Sequence, residues 1–202
     1  RTAIKELESK QVAGYILDLR NNTGGNTGSS IDIAKMWLED GTIVSIKYQV
    51  GQSIFRTNHD AVKYYYRQRE QVVERFNHRA LTNKPLVVLV NDESASASEI
   101  LSGALQDNKR AVLVGERTKG KGSTQKFFDF ADGSGLALTV SRFFPPSGRD
   151  INRVGIAPDV EVPLTYKQEV ALFSQNPEKF GTLADPQYAR ALQILEQQVA
   201  AN

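Results

Sequence analysis

The 202-residue chain contains no cysteine, one tryptophan, one methionine and two histidines. Without thiols it can build neither disulfides nor thiolate-metal centres, and that lack fits an oxidising compartment as well as a reducing one. Charge of one sign is also missing. Lys and Arg number 25 against 23 Asp and Glu, a net charge of +2 spread along the whole chain. This gives neither a nucleic-acid footprint nor a polybasic membrane patch. There is no long apolar run: the longest, "PLVVLV" at 85–90, is far too short to span a bilayer. No signal peptide opens the chain, and Arg1 stands in a helix-like run, so the chain is expected to begin inside a longer precursor.

What is present is ordinary for a globular protein. Hydrophobic residues make up 40% and charged residues 24%, enough for one main domain. Helix-like and strand-like segments alternate. Residues 1–10 read as the end of an amphipathic helix, "GYILDLR" at 14–20 as a buried strand, and "SSIDIAKMWLED" at 29–40 as a helix capped by Ser29 or Ser30. "GTIVSIKYQV" at 41–50 alternates as a half-buried strand does, whereas the polar stretch 60–80, poor in Gly and Pro, reads as an exposed helix. There follow a buried strand "PLVVLVN", a helix "SEILSGALQDN", a strand "RAVLVGE", and a hairpin over 123–144 turning on Asp132-Gly133. Strand, helix, strand connections predict an α/β domain with a partly parallel sheet. From Lys167 onward, a helix-like piece, a break at Pro177 and Gly181, and "PQYARALQILEQQVAA" predict helices packed on the domain or trailing from it.

Sites in such folds collect where strands end and helices begin, and three segments place unusual residues there. "DLRNNTGGN" at 18–26 follows a buried strand, and its adjacent Gly24 and Gly25 form either a tight turn or a backbone that presents N–H groups to a ligand. "VNDESASASEI" sets Ser94, Ser96 and Ser98 at every second position. Ser96 stands three residues before Glu99, the spacing of a capping box, with Ala97, Ile100, Leu101, Ala104 and Leu105 on one helical face. A helix-capping role is the commoner fate of such a serine, yet a helix start also offers unpaired N–H groups and partial positive charge to an alkoxide or oxyanion. A nucleophile would need a base. His59 and His78 flank the polar stretch 60–80, where an imidazole is solvated. In "GERTKGKGSTQ", Lys121 lies between Gly120 and Gly122 and is either a solvated loop lysine or a base. A lysine serves as base only when neutral, which requires desolvation or nearby positive charge.

Taken together, "GYILDLRNNTGG", "PLVVLVNDESASASEILSGALQDNKRAVLVGERTKGKGSTQ" and "DGSGLALTVSRFFPPSGRDINRVGIAPDVEV" resemble the catalytic core of the carboxyl-terminal processing (tail-specific) proteases of peptidase family S41. The match runs over about residues 10–164 in the family's order. The resemblance implies a crotonase/ClpP-like α/β core with a mixed sheet flanked by helices, a protease core over 1–166 and a helical C-terminal tail over 167–202. It implies a Ser–Lys dyad, with Ser96 as nucleophile and Lys121, twenty-five positions on, as general base. Gln125 matches the glutamine that holds the lysine. Gly24 and Gly25 match the Gly-Gly that forms the oxyanion hole with the N–H of Ala97.

No metal or other cofactor is implied. The implied partner is a protein or peptide with an apolar or small C-terminal residue, not a nucleic acid. The implied setting is the periplasm, the thylakoid lumen or another envelope compartment, with peripheral membrane association through regions outside this chain. Family members carry an N-terminal helical segment and a PDZ domain. Neither is visible here, so the chain is expected to be a core piece.

The sequence departs from the family at Thr23, where Pro or Ser is usual, and at Lys119, where an aromatic residue is common. Lys119 would bear on Lys121 only by pointing inward. Two other readings share the core: a crotonase-like acyl-coenzyme A enzyme, which needs the Gly-Gly turn but not the Ser–Lys pair, and a non-catalytic ligand- or peptide-binding domain.

Overall fold

Over residues 1–48, 70–77, 79–130 and 132–201, which the computed structural model describes, the chain runs α1 (Thr2–Ser9), β1 (Tyr15–Asp18), α2 (Thr27–Ala34), β2 (Asp40–Tyr48), β3 (Glu70–Asn77), β4 (Leu86–Val90), α3 (Ala97–Asp107) and β5 (Val112–Gly115). The hairpin β6 (Ser123–Asp129) and β7 (Gly135–Phe144), the short β8 (Val160–Glu161) and the helices α4 (Tyr166–Val170) and α5 (Pro186–Ala200) complete it. A π-helical turn at Ala171–Gln175 and a 3₁₀ turn at Pro177–Lys179 lie between the last two. Parallel and antiparallel pairing are divided between two sheets, β1-β4-β5-β8 and β3-β2-β7-β6.

The apolar run of β4 is continuous because both of its faces are covered, as is usual in a parallel sheet. Leu86, Val88 and Val90 join the main core with Leu101, Leu105 and Leu113. Val87 and Leu89 face the other way, where Val114 and the α5 residues Ala191, Ile194 and Leu195 form a second cluster. The C-terminal segment is therefore packed on the parallel sheet. At the approach to β1, a Cβ on Gly14 would stand 2.8 Å from Leu195 Cδ1, so the backbone there packs directly against the Leu195 side chain of α5.

Two expectations are corrected. Residues 70–77, read as part of an exposed helix over 60–80, form strand β3, antiparallel to β2 with Val44 opposite Val73 and Ile46 opposite Gln71. Pairing with a neighbouring strand satisfies a whole row of backbone groups and overrides local propensity. The remainder of that expectation, 60–69 and 78–80, falls largely outside the described residues. Likewise α2 begins at Thr27, capped by Asn26, whose Oδ1 accepts the Ser29 N–H at 3.0 Å, and not by Ser29 or Ser30. Ser30 instead donates to the Thr27 carbonyl at 2.7 Å. The hairpin turns where expected, closed by Phe130 N–H to Ser134 O and Gly133 N–H to Phe130 O.

Helix α1 is fixed to the loop before β4 by one carboxylate. Glu8 accepts from Lys84 Nζ at 2.7 Å and from the Tyr15 hydroxyl at 2.6 Å. Lys84, Tyr15 and Thr82 together lower the Glu8 carboxyl to about 2. Burial, followed by the Glu8 hydrogen bond, raises Tyr15 to about 12. A carboxylate depressed in the folded state contributes stability above its unfolded value of 4.5, lost as pH falls toward 2. The melting-temperature gap between the native chain and Glu8→Gln should therefore be present at pH 7 and shrink steadily as the buffer is taken from pH 4.5 toward 2. A gap that is constant over this range would show that Glu8 contributes by packing alone.

Candidate active site

The chain leaves β4 through Asn91 and enters α3 at Ser96, whose backbone stands at φ 56° and ψ −114°. Ordinary N-caps are extended, and a non-glycine residue in this region is strained by about 1–3 kcal/mol. The Ser96 backbone N–H donates to Glu99 Oε2 at 2.9 Å, and the predicted Ser96–Glu99 capping box is formed.

Glu99 does more than cap. It is fully buried, and its two oxygens also accept from the Thr118 hydroxyl at 2.6 Å, Gly120 N–H at 2.8 Å and Lys121 N–H at 2.8 Å. One carboxylate thus ties the backbone of the serine to that of the lysine. Thr118 is held in turn, its Oγ1 accepting Ile156 N–H at 2.7 Å. A Cβ on Gly120, at φ +84°, would lie 2.8 Å from the Val154 and Gly155 nitrogens, which only glycine permits. The Lys121 side chain is exposed and has no hydrogen bond or ion pair among the described residues. Lys119 points away into an exposed ion pair with Glu93 at 2.8 Å.

The glycine turn is sewn to the serine loop. Ser94 Oγ, fully buried, donates to Leu19 O at 2.7 Å, and Ser98 Oγ donates to Asn22 O at 2.9 Å. Ala95 N–H also reaches Asn22 O, and Asn91 exchanges two hydrogen bonds with Asn21. Gly24, at φ +103°, sits so close that a Cβ would be 2.6 Å from Ala95 O and 2.8 Å from both Ala97 N and Ser96 Cβ. Gly24 N–H donates to Asn22 Oδ1 at 3.0 Å. The N–H groups of Gly25 and Ala97 have no hydrogen-bond partner among the described residues. Beside them opens a pocket of about 130 Å³, lined by Gly24, Gly25 and Ala97 with the apolar Leu19, Ile33 and Leu101 and the hydroxyls of Ser29, Ser30 and Ser98.

Ser96, Gly24, Gly25 and Ala97 are therefore brought together, and Lys121 is joined to them through its main chain. Gln125 is exposed on β6 opposite Thr139, and no hydrogen bond links it to Lys121. His59 and His78 lie outside the described residues. No cluster of three or more His, Asp or Glu suited to a metal occurs among the described residues. Sequence reasoning missed the interlock made by Glu99, Thr118, Asn22, Ser94 and Ser98. Its one signal was a Glu at the start of an apolar helix.

A serine on a strained strand-to-helix turn, beside two unpaired backbone N–H groups, is the arrangement of the serine acyl-transfer class. The family model Peptidase family S41 matches residues 1–162. The chain belongs to peptidase family S41. It is 45% identical over 201 residues to a carboxyl-terminal-processing protease of Synechocystis sp., covering 98% of this chain and 40% of that protein. The carboxyl-terminal-processing peptidase 2, chloroplastic, of Arabidopsis thaliana is 41% identical, over 92% of this chain and 32% of its own length. Among solved structures, the photosystem II D1 C-terminal processing protease matches with TM-score 0.62 and 39% identity over 80% of this chain and 38% of that one. The chain thus spans less than half the length of these relatives.

Replacing Glu99 by Gln turns an amide donor toward backbone N–H groups that need an acceptor. The variant is expected to lose about 1–3 kcal/mol of stability for each buried N–H left unpaired. The measurement is the urea midpoint with its slope. A midpoint equal to that of the native chain would mean that water replaces the carboxylate.

Proposed function

We propose that this chain is the catalytic core of a serine endopeptidase that cleaves near the C-terminus of protein substrates, with Ser96 as nucleophile and Lys121 as general base. The observation that carries the reading is the strained Ser96, held beside the unpaired N–H groups of Gly25 and Ala97.

In this mechanism Lys121, in its neutral form, takes the Ser96 proton, and the alkoxide attacks the substrate carbonyl carbon. Gly25 and Ala97 N–H stabilise the oxyanion, with the Gly24 N–H committed to shaping the turn. The C–N bond breaks, Lys121 returns the proton to the leaving amine, and water then releases the acyl group by the reverse sequence. The exposed Lys121 side chain must swing to the Ser96 hydroxyl when substrate binds, and Gln125 would hold it there. Catalytic hydrogen bonds are commonly long or unmade before the substrate complex forms. The small pocket, with Leu19, Ile33 and Leu101 among polar and glycine residues in its lining, supports a substrate side chain that is small. A crotonase-like enzyme would need the two N–H groups but has no use for a strained serine. The named relatives, cyanobacterial and chloroplastic, support a thylakoid-lumen or other envelope setting.

The test uses peptides ending in small or apolar residues, with cleavage followed by mass spectrometry. Ser96→Ala and Lys121→Arg should each abolish turnover while the fold persists, because guanidinium does not deprotonate at working pH. Turnover retained in Lys121→Arg would overturn the dyad. Ser96→Gly gives an independent check, since it should remove activity yet raise stability by about 1 kcal/mol by releasing the backbone strain. A lower melting temperature in Ser96→Gly would show that the Ser96 side chain stabilises the turn.

A further inference from the structure

A buried ion pair joins the start of the glycine turn to the far end of the chain. The Arg20 side chain is fully buried, four residues before Gly24, and its guanidinium has every edge engaged. Its Nε and one terminal nitrogen bond Asp18 at 3.0 Å and 2.7 Å. Its terminal nitrogens also reach both oxygens of Asp185, at 3.1 Å and 2.7 Å, and Gln187 Oε1 at 3.0 Å. The rings of Phe180 and Phe173 lie 4.3 Å and 5.9 Å from the guanidinium carbon. Asp185 and Gln187 are both fully buried. Asp185 also caps α5, accepting Gln187 and Tyr188 N–H, while Gln187 Nε2 reaches Val162 O at 2.9 Å. All four of these tail residues, Phe173, Phe180, Asp185 and Gln187, lie beyond residue 162, where the family match ends.

We propose that the C-terminal segment 173–187 is a clamp on the oxyanion turn, with Asp185 a positioning residue that acts through Arg20 on Gly24 and Gly25. This rests on the protease reading given above. Attachment of the tail does not call for an ion pair, because Ala191, Ile194 and Leu195 already bury α5 on the sheet. A buried ion pair is a weak source of net stability, since desolvation offsets most of the attraction. What it supplies is direction. A bidentate guanidinium fixes where the chain leaves β1 and enters Asn21, itself at φ 58°.

On one side the turn is held by Ser94, Ser98 and Asn91; Arg20 supplies the other side. Gly25 faces open space where a Cβ would stand, so no side chain packs against it from that direction. Its N–H can keep within the roughly 0.5 Å that a catalytic group tolerates only if the residues before it are fixed.

The experiment replaces Arg20 and its tail partner with apolar side chains, Arg20→Met with Asp185→Leu, in a form of the protein that cleaves peptide. The substitution also removes the α5 cap that Asp185 supplies and leaves Asp18 without its cation, so unfolding that is still cooperative but at a lower midpoint is expected. Against that background, kcat should fall by about tenfold to a hundredfold with KM unchanged, as misplacement of a catalytic group produces. Amide hydrogen exchange over 19–26 should quicken, while exchange over β4 stays as in the native chain. Native kcat together with native exchange over 19–26 would overturn the clamp. If no form of the protein cleaves peptide, the protease reading fails, and the exchange measurement alone decides the clamp. If the double variant does not fold, Gln187→Met, which removes one acceptor and leaves the ion pair, should quicken exchange over 19–26 to a smaller degree. Unchanged exchange in that variant would count against the proposal.

Discussion

The site depends on the burial of one carboxylate. Glu99 stands in the first turn of α3 with no solvent exposure and accepts four donors from three segments, the serine turn, Thr118 and the lysine loop. An anion taken out of water is tolerable only when its lone pairs are filled, so the four donors and the carboxylate need one another. That mutual need makes the arrangement stiff. A serine at positive φ also costs free energy, and it persists because its N–H and the following helix are held from several directions.

The parallel sheet supplies the frame on which these contacts are possible. With both faces of β4 buried, its C-terminal end is fixed, and the serine turn, the glycine turn and the start of the lysine loop all leave neighbouring strands at that end. This is where open α/β sheets gather their sites, because loops there spring from a rigid edge and helix N-termini point toward the ligand. The antiparallel sheet has another part. Its β6 follows the lysine loop directly, and its β7 places Phe143 in the main core, so the loop is anchored at its far end as well.

Much of this was legible beforehand. The continuous apolar run at 86–90, the Asp132-Gly133 turn and the apolar face of α3 each carry their cause in a few adjacent residues, and each formed as read. Where a segment's partner lay far away, reading failed. Nothing in 70–77 announces a strand, since its conformation comes from pairing with β2. Asn26 in place of Ser29 or Ser30 as the α2 cap follows from where the glycine turn ends, which propensity does not encode.

By itself the sequence determined which residues could do chemistry: the serine run, the lysine between glycines and the paired glycines, recognisable because each is a short pattern whose residue types are rarely interchangeable. Only the tertiary structure decided how they are used. It committed Gly24 N–H to Asn22 and left those of Gly25 and Ala97 without a partner among the described residues, turned Lys119 toward Glu93, and gave Ser94 and Ser98 the task of sewing two loops together. The physical reason is range. Helix caps, turns and amphipathic faces are set by neighbours within a few residues, whereas the direction of an N–H or the burial of a carboxylate is set by groups that only folding brings within 3 Å or so.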